Sequence, residues 1–143
     1  MDLVFGFLLL YFCFKLIENP EFICQKCEWE ETTVYAVMAA DGKASCWMYS
    51  PKFEPHVLTL ENLFVSPEAR NEERGRKALR FCEEVAREHG YEKIDLKACR
   101  DTWMQKWYER EGYDVFGPDL DEPMKYVWME KYMSDEDSQR VFA

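Results

Sequence analysis

The sequence predicts an α/β domain built around one mixed β-sheet. Segments typical of strands and helices follow one another in the order hairpin, long strand, helix, strand, helix and two strands. No repeat or linker interrupts this order, and apolar residues make up 48% of the 143 residues, enough for a packed core. We therefore expect one domain over residues 1–133, followed by a polar, mobile tail, Ser134–Ala143.

The first element is an apolar segment. Leu3–Phe14 has no polar side chain except that of Tyr11. We interpret Leu3–Glu18 as a helix that Asp2 caps and Asn19-Pro20 stops, although the aromatic content also permits a strand. A transmembrane span needs about 20 residues, so we expect none here. Because this helix is apolar on every side, we expect it to contact the core and a second subunit, in a homodimer, with a membrane surface as the alternative.

A hairpin and a long strand follow. Thr33–Ala40 and Lys43–Tyr49 are rich in residues that favour strands, and Asp41-Gly42 between them is typical of a two-residue hairpin turn. Val57–Val65 is predicted to be the third strand. The sequence therefore places an antiparallel sheet in the first half of the domain.

A helix and a strand come next, Arg74–His89 and Glu92–Cys99. The helix is predicted because apolar residues recur at the spacing of one helical face, and Gly90 ends it. The five apolar residues are Ala78, Phe81, Cys82, Val85 and Ala86. The strand alternates, with Ile94, Leu96 and Ala98 on one face. Because a helix connects them, the strands 57–65 and 92–99 are expected to be parallel neighbours.

The last elements are short. Asp101 is expected to cap a helix that runs through Glu111 and stops at Gly112. Tyr113–Phe116 and Met124–Tyr132 are predicted to be the closing strands.

The charge of the chain limits its partners. The 28 acidic residues outnumber the 18 basic ones and give a net charge of −10, which argues against binding of nucleic acid. An acidic protein suits a cationic partner such as an amine or a lysine side chain. A secretory signal would carry positive charge before its apolar run, where Asp2 stands, so the sequence favours a cytoplasmic protein.

Six cysteines are too few for a disulfide scaffold. Cys24 and Cys27 have the spacing of zinc ligands, but no second pair follows, and structural zinc needs four ligands. An ordinary pair of thiols at a helix end is therefore favoured over a metal site. Cys82 and Cys99 are expected to be buried, reduced thiols.

Residues 60–75 have the pattern of a strand, a tight turn and a helix start. Backbone N–H groups in such a turn can point into one concavity, and the helix dipole adds positive potential, so the segment is suited to an anion. Arg70, Arg74 and Arg76 add charge at the same place. On this segment alone, a surface loop with scattered charges explains the residues more simply.

The stretch from Leu60 to Tyr113 resembles the GNAT family of N-acetyltransferases. The first family motif is an apolar strand ending in Val, a Pro-Glu turn, and [Arg/Gln]-x-x-Gly-x-[Gly/Ala]. The matching residues are Val65, Pro67, Glu68, Arg70 and Gly75. The second motif is Asn-x(6)-Tyr-Glu-[Lys/Arg]-x-Gly-[Phe/Tyr], and the corresponding residues are Asp101 and the run Tyr108–Tyr113.

The resemblance implies a GNAT-like fold and activity. The fold would be a mixed, mostly antiparallel sheet with a central splayed parallel strand pair and flanking helices. The activity would be transfer of an acetyl group from acetyl-CoA to a primary amine of a small molecule or a protein. The alternative is a degenerate GNAT fold that serves as a binding module. An acidic inhibitor that mimics nucleic acid would explain the charge but not the motifs.

The resemblance also implies roles for single residues. Tyr108 would protonate the departing thiolate, and Glu61 would bind the acceptor ammonium and take its proton. An ordinary core tyrosine and a solvated strand glutamate are the alternative interpretations. The residues implied to bind acetyl-CoA are Leu63, Phe64, Val65, Arg70, Asn71, Glu73, Arg74, Gly75, Arg76 and Asp101. Glu73 replaces a motif glycine that lets backbone approach phosphate, so we expect its side chain to turn to solvent.

Overall fold

A computed structural model describes residues 14–18 and 21–133, which form one eight-stranded sheet, two α-helices and a short 3₁₀ helix, Pro67–Ala69. The strands are β1 (Phe14–Glu18), β2 (Phe22–Trp29), β3 (Thr32–Ala39), β4 (Ala44–Tyr49), β5 (Val57–Val65), β6 (Lys93–Cys99), β7 (Asp114–Pro118) and β8 (Tyr126–Tyr132). The helices are α1 (Glu72–Glu88) and α2 (Trp103–Arg110). The strand order is β1-β2-β3-β4-β5-β6-β8-β7, antiparallel throughout except for the parallel β5–β6 pair. The predicted mixed sheet with a central parallel pair is confirmed.

The prediction of a helix over Leu3–Glu18 is wrong at its end. Phe14–Glu18 is a strand that pairs antiparallel with β2, with a register shift between Lys15 and Ile17. An apolar, aromatic run suits either state, and the hydrogen bonds to β2 decide between them. The rest of that predicted helix, its Asn19-Pro20 stop and the predicted tail Ser134–Ala143 lie outside the described residues.

β2 is a strand that the sequence analysis did not predict. Cys24 and Cys27 are both buried free thiols within it, so they are not a pair at a helix end. Residues three apart in a strand project to opposite faces of the sheet, so these two thiols cannot serve one metal ion. Across residues 14–18 and 21–133, no group of three or more His, Cys, Asp or Glu side chains could hold a metal.

The β3–β4 hairpin forms where it was predicted. Gly42 adopts φ +75° and donates its N–H to the carbonyl of Ala39 at 2.9 Å. Asp41 accepts a hydrogen bond from the backbone of Lys43 at 3.0 Å. The left-handed φ is open to glycine at little cost, which explains the turn sequence.

The core lies between α1 and one face of the sheet, here called the inner face. The apolar stripe predicted for this helix is buried, as are Leu58 and Leu60 of β5 and Ile94 and Leu96 of β6. Because side chains alternate along a strand, Thr59, Glu61 and Asp95 belong to the opposite, outer face. Cys82 is buried as expected, whereas Cys99 is only half-buried. Within residues 14–18 and 21–133, no helix is long and apolar enough to cross a membrane.

A buried ionic cluster joins α1 to β8 and to the end of α2. Glu83 is fully buried and accepts hydrogen bonds from Arg80 at 2.9 Å, from Lys131 at 3.2 Å and from the hydroxyl of Tyr113 at 2.9 Å. Lys131 also donates to the carbonyl of Glu111 at 3.1 Å. These five residues are called the Glu83 cluster. They fix α1, β8 and the end of α2 relative to one another.

The short helix α2 begins one residue later than predicted. Thr102, with φ −112° and ψ 174°, is the N-cap, and its hydroxyl accepts from the N–H of Met104 at 3.3 Å. Asp101 is not the cap, because its φ of +58° is left-handed, whereas an N-cap needs an extended backbone. The N–H of Asp101 instead donates to the side chain of Gln105 at 2.7 Å.

Candidate active site

The parallel strands β5 and β6 separate halfway along their length. They pair from Val57 opposite Lys93 to Leu60 opposite Leu96, and beyond these residues both strands continue without pairing to each other. This opening is called the fork. The edge of residues 61–65 that faces β6 has no strand partner among the described residues. Its backbone N–H and C=O groups can therefore pair with an extended ligand, as an added strand would.

The other edge of β5 keeps its partner but contains a bulge. Trp47 of β4 lies opposite Glu61, whereas Ser45 lies opposite Phe64, so β5 has one extra residue between these pairs. Asn62 has a left-handed φ of +56° at this point. A bulge changes the direction of the side chains beside it, and this one directly follows Glu61 at the fork.

Glu61 is exposed on the outer face and has one defined partner. Its Oε1 accepts a hydrogen bond from the hydroxyl of Tyr49 at 3.3 Å. Burial raises the pKa of Tyr49, and the negative charge of Glu61 raises it further. Tyr49 therefore remains a neutral donor, and Glu61 keeps carboxylate surface open to a cation from solvent.

Tyr108 approaches the core from the inner side. It is 8% exposed and belongs to the core cluster with Cys46 of β4 and Cys82 of α1, whose sulfurs are 3.2 Å apart. No described residue accepts a hydrogen bond from the Tyr108 hydroxyl. Burial raises the pKa of Tyr108, and the two neighbouring thiols act in the same direction. The phenol therefore keeps its proton at neutral pH, and its O–H group is available to donate a hydrogen bond.

The three arginines of the predicted anion loop all contact groups of the protein. The pairs are Arg70 with the carbonyl of Val65 at 2.8 Å, Arg74 with Asp41 at 2.8 Å and Arg76 with Glu111 at 3.2 Å. The hydrogen bond from Arg74 is the main reason that the pKa of Asp41 is lowered. An anion bound here would have to compete with these pairs for the arginines.

The start of α1 is capped from within the chain. Asn71 accepts a hydrogen bond from the N–H of Arg74 at 2.8 Å. The side chain of Glu73 is 74% exposed and lies 3.9 Å from Lys77, which confirms the expectation that it turns to solvent. A cleft of about 370 Å³ lies beside this turn. Its lining residues are Glu21, Phe22, Ala40, Asp41, Asn71, Glu73, Arg74 and Lys77.

The remaining predicted cofactor residues range from buried to exposed. Gly75 is buried, and a Cβ added to it would lie 3.4 Å from the indole of Trp107, so this glycine lets α2 lie close to α1. Leu63 packs against the core. Phe64 is 49% exposed, with the guanidinium of Arg70 5.7 Å above its ring. The side chain of Asp101 is 83% exposed and lies 3.6 Å from Arg100.

Glu61 thus lies at the fork on the outer face and Tyr108 on the inner side, and the start of α1 follows the end of β5. The sequence analysis missed Tyr49, which contacts Glu61, and the buried pair in which Thr59 donates to Asp95 at 2.6 Å. The alternation of side chains along β4 and β5 is the sequence signal that could have placed Tyr49, Thr59 and Glu61 on one face of the sheet. The bulge at Asn62 shifts the register beyond Glu61, and no sequence pattern predicts it.

The chain was also compared with known proteins. The sequence profile described as the Acetyltransferase (GNAT) family matches residues 8–113. No curated protein matches the sequence.

Solved structures give many matches to the fold. The spermidine/spermine N-acetyltransferase SpeG from Vibrio cholerae has a TM-score of 0.63 at 12% identity, covering 78% of this chain and 70% of its own. The ribosomal-protein-S18-alanine N-acetyltransferase from Escherichia coli has a TM-score of 0.57 at 16% identity, covering 75% and 72%. The PaiA N-acetyltransferase from Thermoplasma acidophilum, in complex with coenzyme A, has a TM-score of 0.58 at 19% identity, covering 69% and 60%. These likenesses show a shared fold.

Proposed function

The chain belongs to the GNAT acetyltransferase family, and we propose that it transfers the acetyl group of acetyl-CoA to a primary amine by direct attack. The observation that carries this proposal is the fork. There an unpaired strand edge carries an exposed carboxylate, Glu61, on the outer face, and the proposed acid, Tyr108, is a buried phenol of the core on the inner side. A thioester held along that edge would have a base and an acid available from opposite faces.

Glu61 is proposed to prepare the nucleophile. An amine arrives at neutral pH as an ammonium ion, which cannot attack until it loses a proton. The exposed carboxylate of Glu61 attracts the cation, accepts its proton and passes it to water. The neutral amine nitrogen then bonds to the thioester carbon and releases a second proton to water, and the carbon–sulfur bond breaks to leave a neutral amide and a thiolate.

Tyr108 is proposed to protonate that thiolate. Its hydroxyl has no acceptor among the described residues, and burial raises its pKa, so it keeps a proton to donate. The proton moves from the phenol oxygen to sulfur, and solvent returns a proton to the phenolate. This role accounts for a buried hydroxyl that would otherwise carry an uncompensated desolvation cost.

The unpaired edge of residues 61–65 is proposed to bind the amide groups of the pantetheine arm of acetyl-CoA. The turn before α1 would bind the pyrophosphate through backbone N–H groups and through Arg70, Arg74 and Arg76. Those arginines would exchange their present partners for the anion. One structural neighbour is a complex with coenzyme A, which supports this choice of cosubstrate.

The acceptor is proposed to be cationic, because the chain has a net charge of −10 and Glu61 is exposed. The names of two neighbours suggest acceptors to test first: spermidine, and a peptide with an N-terminal alanine. A third is a lysine-containing peptide with an acetylated N-terminus. The assay measures release of the CoA thiol and the mass of the acetylated product. Product formation that depends on enzyme supports the proposal, and absence of product with all three acceptors at millimolar concentration contradicts it.

A second candidate function is a GNAT-fold binding module without catalysis. The loop favours it, because Glu73 stands at a motif glycine and the nearby arginines contact groups of the protein. Thermal-shift titration separates the two functions when it is paired with the assay. Acetyl-CoA that raises Tm while no acceptor turns over indicates a module, since a ligand specific for the folded state must stabilise it.

A further inference from the structure

Tyr49 is the residue through which the fold contacts the proposed base. In the β4–β5 pair, Trp47 lies directly opposite Glu61 and Tyr49 directly opposite Thr59. Tyr49 and Glu61 are therefore diagonal neighbours on the outer face, a relation that a long aromatic side chain can span. The hydroxyl of Tyr49 reaches the Oε1 of Glu61 at 3.3 Å.

The support beneath Tyr49 is rigid. Thr59 is 3% exposed and donates to Asp95, 7% exposed, at 2.6 Å. This bond joins β5 to β6 just before the fork opens, where the two residues face each other in register. Tyr49 is half-buried beside this pair, whereas Glu61 is exposed. The half-buried phenol therefore restricts a side chain that would otherwise rotate freely in solvent.

We propose that Tyr49 is a positioning residue that orients the carboxylate of Glu61 toward the acceptor ammonium at the fork. The inference rests on the proposed acetyl transfer. A glutamate side chain has several rotatable bonds, and only some of its rotamers place the carboxylate at the opening beside Leu60 and Leu96. The bond to Tyr49 occupies one carboxylate oxygen and leaves the other for the ammonium. Orientation of this kind lowers the entropy that the acceptor complex must lose.

The test uses steady-state kinetics of the full chain with acetyl-CoA and the most active of the three acceptors named above. Tyr49→Phe removes the hydroxyl and keeps the ring. We expect kcat/KM for the acceptor to fall about fivefold, the effect of one ordinary hydrogen bond, while KM for acetyl-CoA stays within twofold. Tyr35→Phe is the matched control, because the Tyr35 hydroxyl contacts Tyr91 at 3.1 Å on the inner face, away from Glu61. This control should leave both constants within about twofold of the wild type.

A double-mutant cycle makes the inference specific. Glu61→Ala leaves no carboxylate to orient, so adding Tyr49→Phe to it should change kcat/KM no further. A wild-type rate for Tyr49→Phe, or a fivefold loss that persists in the Glu61→Ala background, would overturn the inference while leaving the acetyltransferase intact. Absence of transfer by the wild type would instead refute the proposed function, and this inference with it.

Discussion

The Glu83 cluster and the fork are two polar regions of one small sheet, and they differ in whether their polar groups have hydrogen-bond partners. Glu83 is fully buried, and both of its carboxylate oxygens accept hydrogen bonds from neighbouring cations and a tyrosine. The edge of β5 at the fork and the buried hydroxyl of Tyr108 have no partner among the described residues. Buried polar groups are nearly always paired, so the first region is explained by stability and the second is open to a ligand.

Two tyrosines provide the sharpest test of that contrast and the largest expected effect. Tyr108→Phe should lower kcat by about 10²–10⁴-fold, the usual contribution of general acid catalysis, with little change in Tm because no hydrogen bond is lost. Tyr113→Phe removes the bond to Glu83 and should instead lower stability, by about 1–3 kcal/mol. Kinetics and thermal melts of both variants are the measurement. Equal effects of the two variants on kcat would contradict the assignment of Tyr108 to catalysis and of Tyr113 to stability.

The next largest effect concerns the Glu83 cluster itself. Glu83→Ala leaves Lys131, which is 6% exposed, without its carboxylate, and should lower the free energy of unfolding by about 3–5 kcal/mol. Denaturant unfolding measures this loss. The matched control is Glu84→Ala, one residue further along α1 and exposed, which should change stability by less than about 0.5 kcal/mol. Similar losses in the two variants would mean that the cluster does not stabilise the fold.

Much of the fold around the fork was predictable because local and tertiary preferences agree there. β5 has the bounds expected from its apolar run, and α1 buries the predicted stripe. Phe14–Glu18 and β2 were not predicted as strands. The first is apolar enough for either state, and in β2 the adjacent Gln25 and Lys26 break the alternation that marks a strand. In both segments the hydrogen bonds to a neighbouring strand determine the secondary structure, and the local sequence does not specify that pairing.

The candidate site was predictable only as far as motifs extend. Tyr108 stands at a motif position and is buried in the core, whereas Glu61 was implied by the family resemblance and lies at the fork; their roles stay proposals. Tyr49 belongs to no motif, and its contact with Glu61 depends on the register between β4 and β5. The sequence analysis did not single out Glu83, because burial of a charge is visible only when its partners on other elements are in place.

A smaller effect tests whether the loop before α1 belongs, with the fork, to the region that binds a ligand. Glu73 is exposed, so at ~8 Å from a bound phosphate its charge opposes the anion by only about 0.5 kcal/mol. Glu73→Gln should therefore tighten acetyl-CoA binding about twofold at low salt, and the gain should disappear at high salt. Calorimetric titration at two salt concentrations measures it. Glu84→Gln, about 16 Å further along the helix, should have no effect, and equal gains in both variants would mean that the anion lies elsewhere.

The smallest expected effect concerns Asp95, which shares features of both regions. It is 7% exposed, like the Glu83 cluster, yet it lies beside the fork and accepts a hydrogen bond from Thr59. Burial raises its pKa, although the bond from Thr59 and the charge of Lys93 oppose the rise. The folded protein thus binds this proton more tightly than the unfolded chain. Stability therefore falls as pH rises from the unfolded pKa, about 4, through the raised folded value, and the loss persists at neutral pH.

Asp95→Asn keeps an acceptor for Thr59 and removes the charge, so it should raise Tm slightly at pH 7. The advantage should shrink as pH falls toward about 4 and below, because a growing share of the wild-type carboxyl is then protonated and resembles the amide. Thermal melts across this range are the measurement. Asp114→Asn, at an exposed position of β7, is the control and should give no such pH-dependent gain. A variant that is less stable than the wild type at neutral pH would show that Asp95 is stabilised as an anion, and would place it with the satisfied carboxylates of the Glu83 cluster.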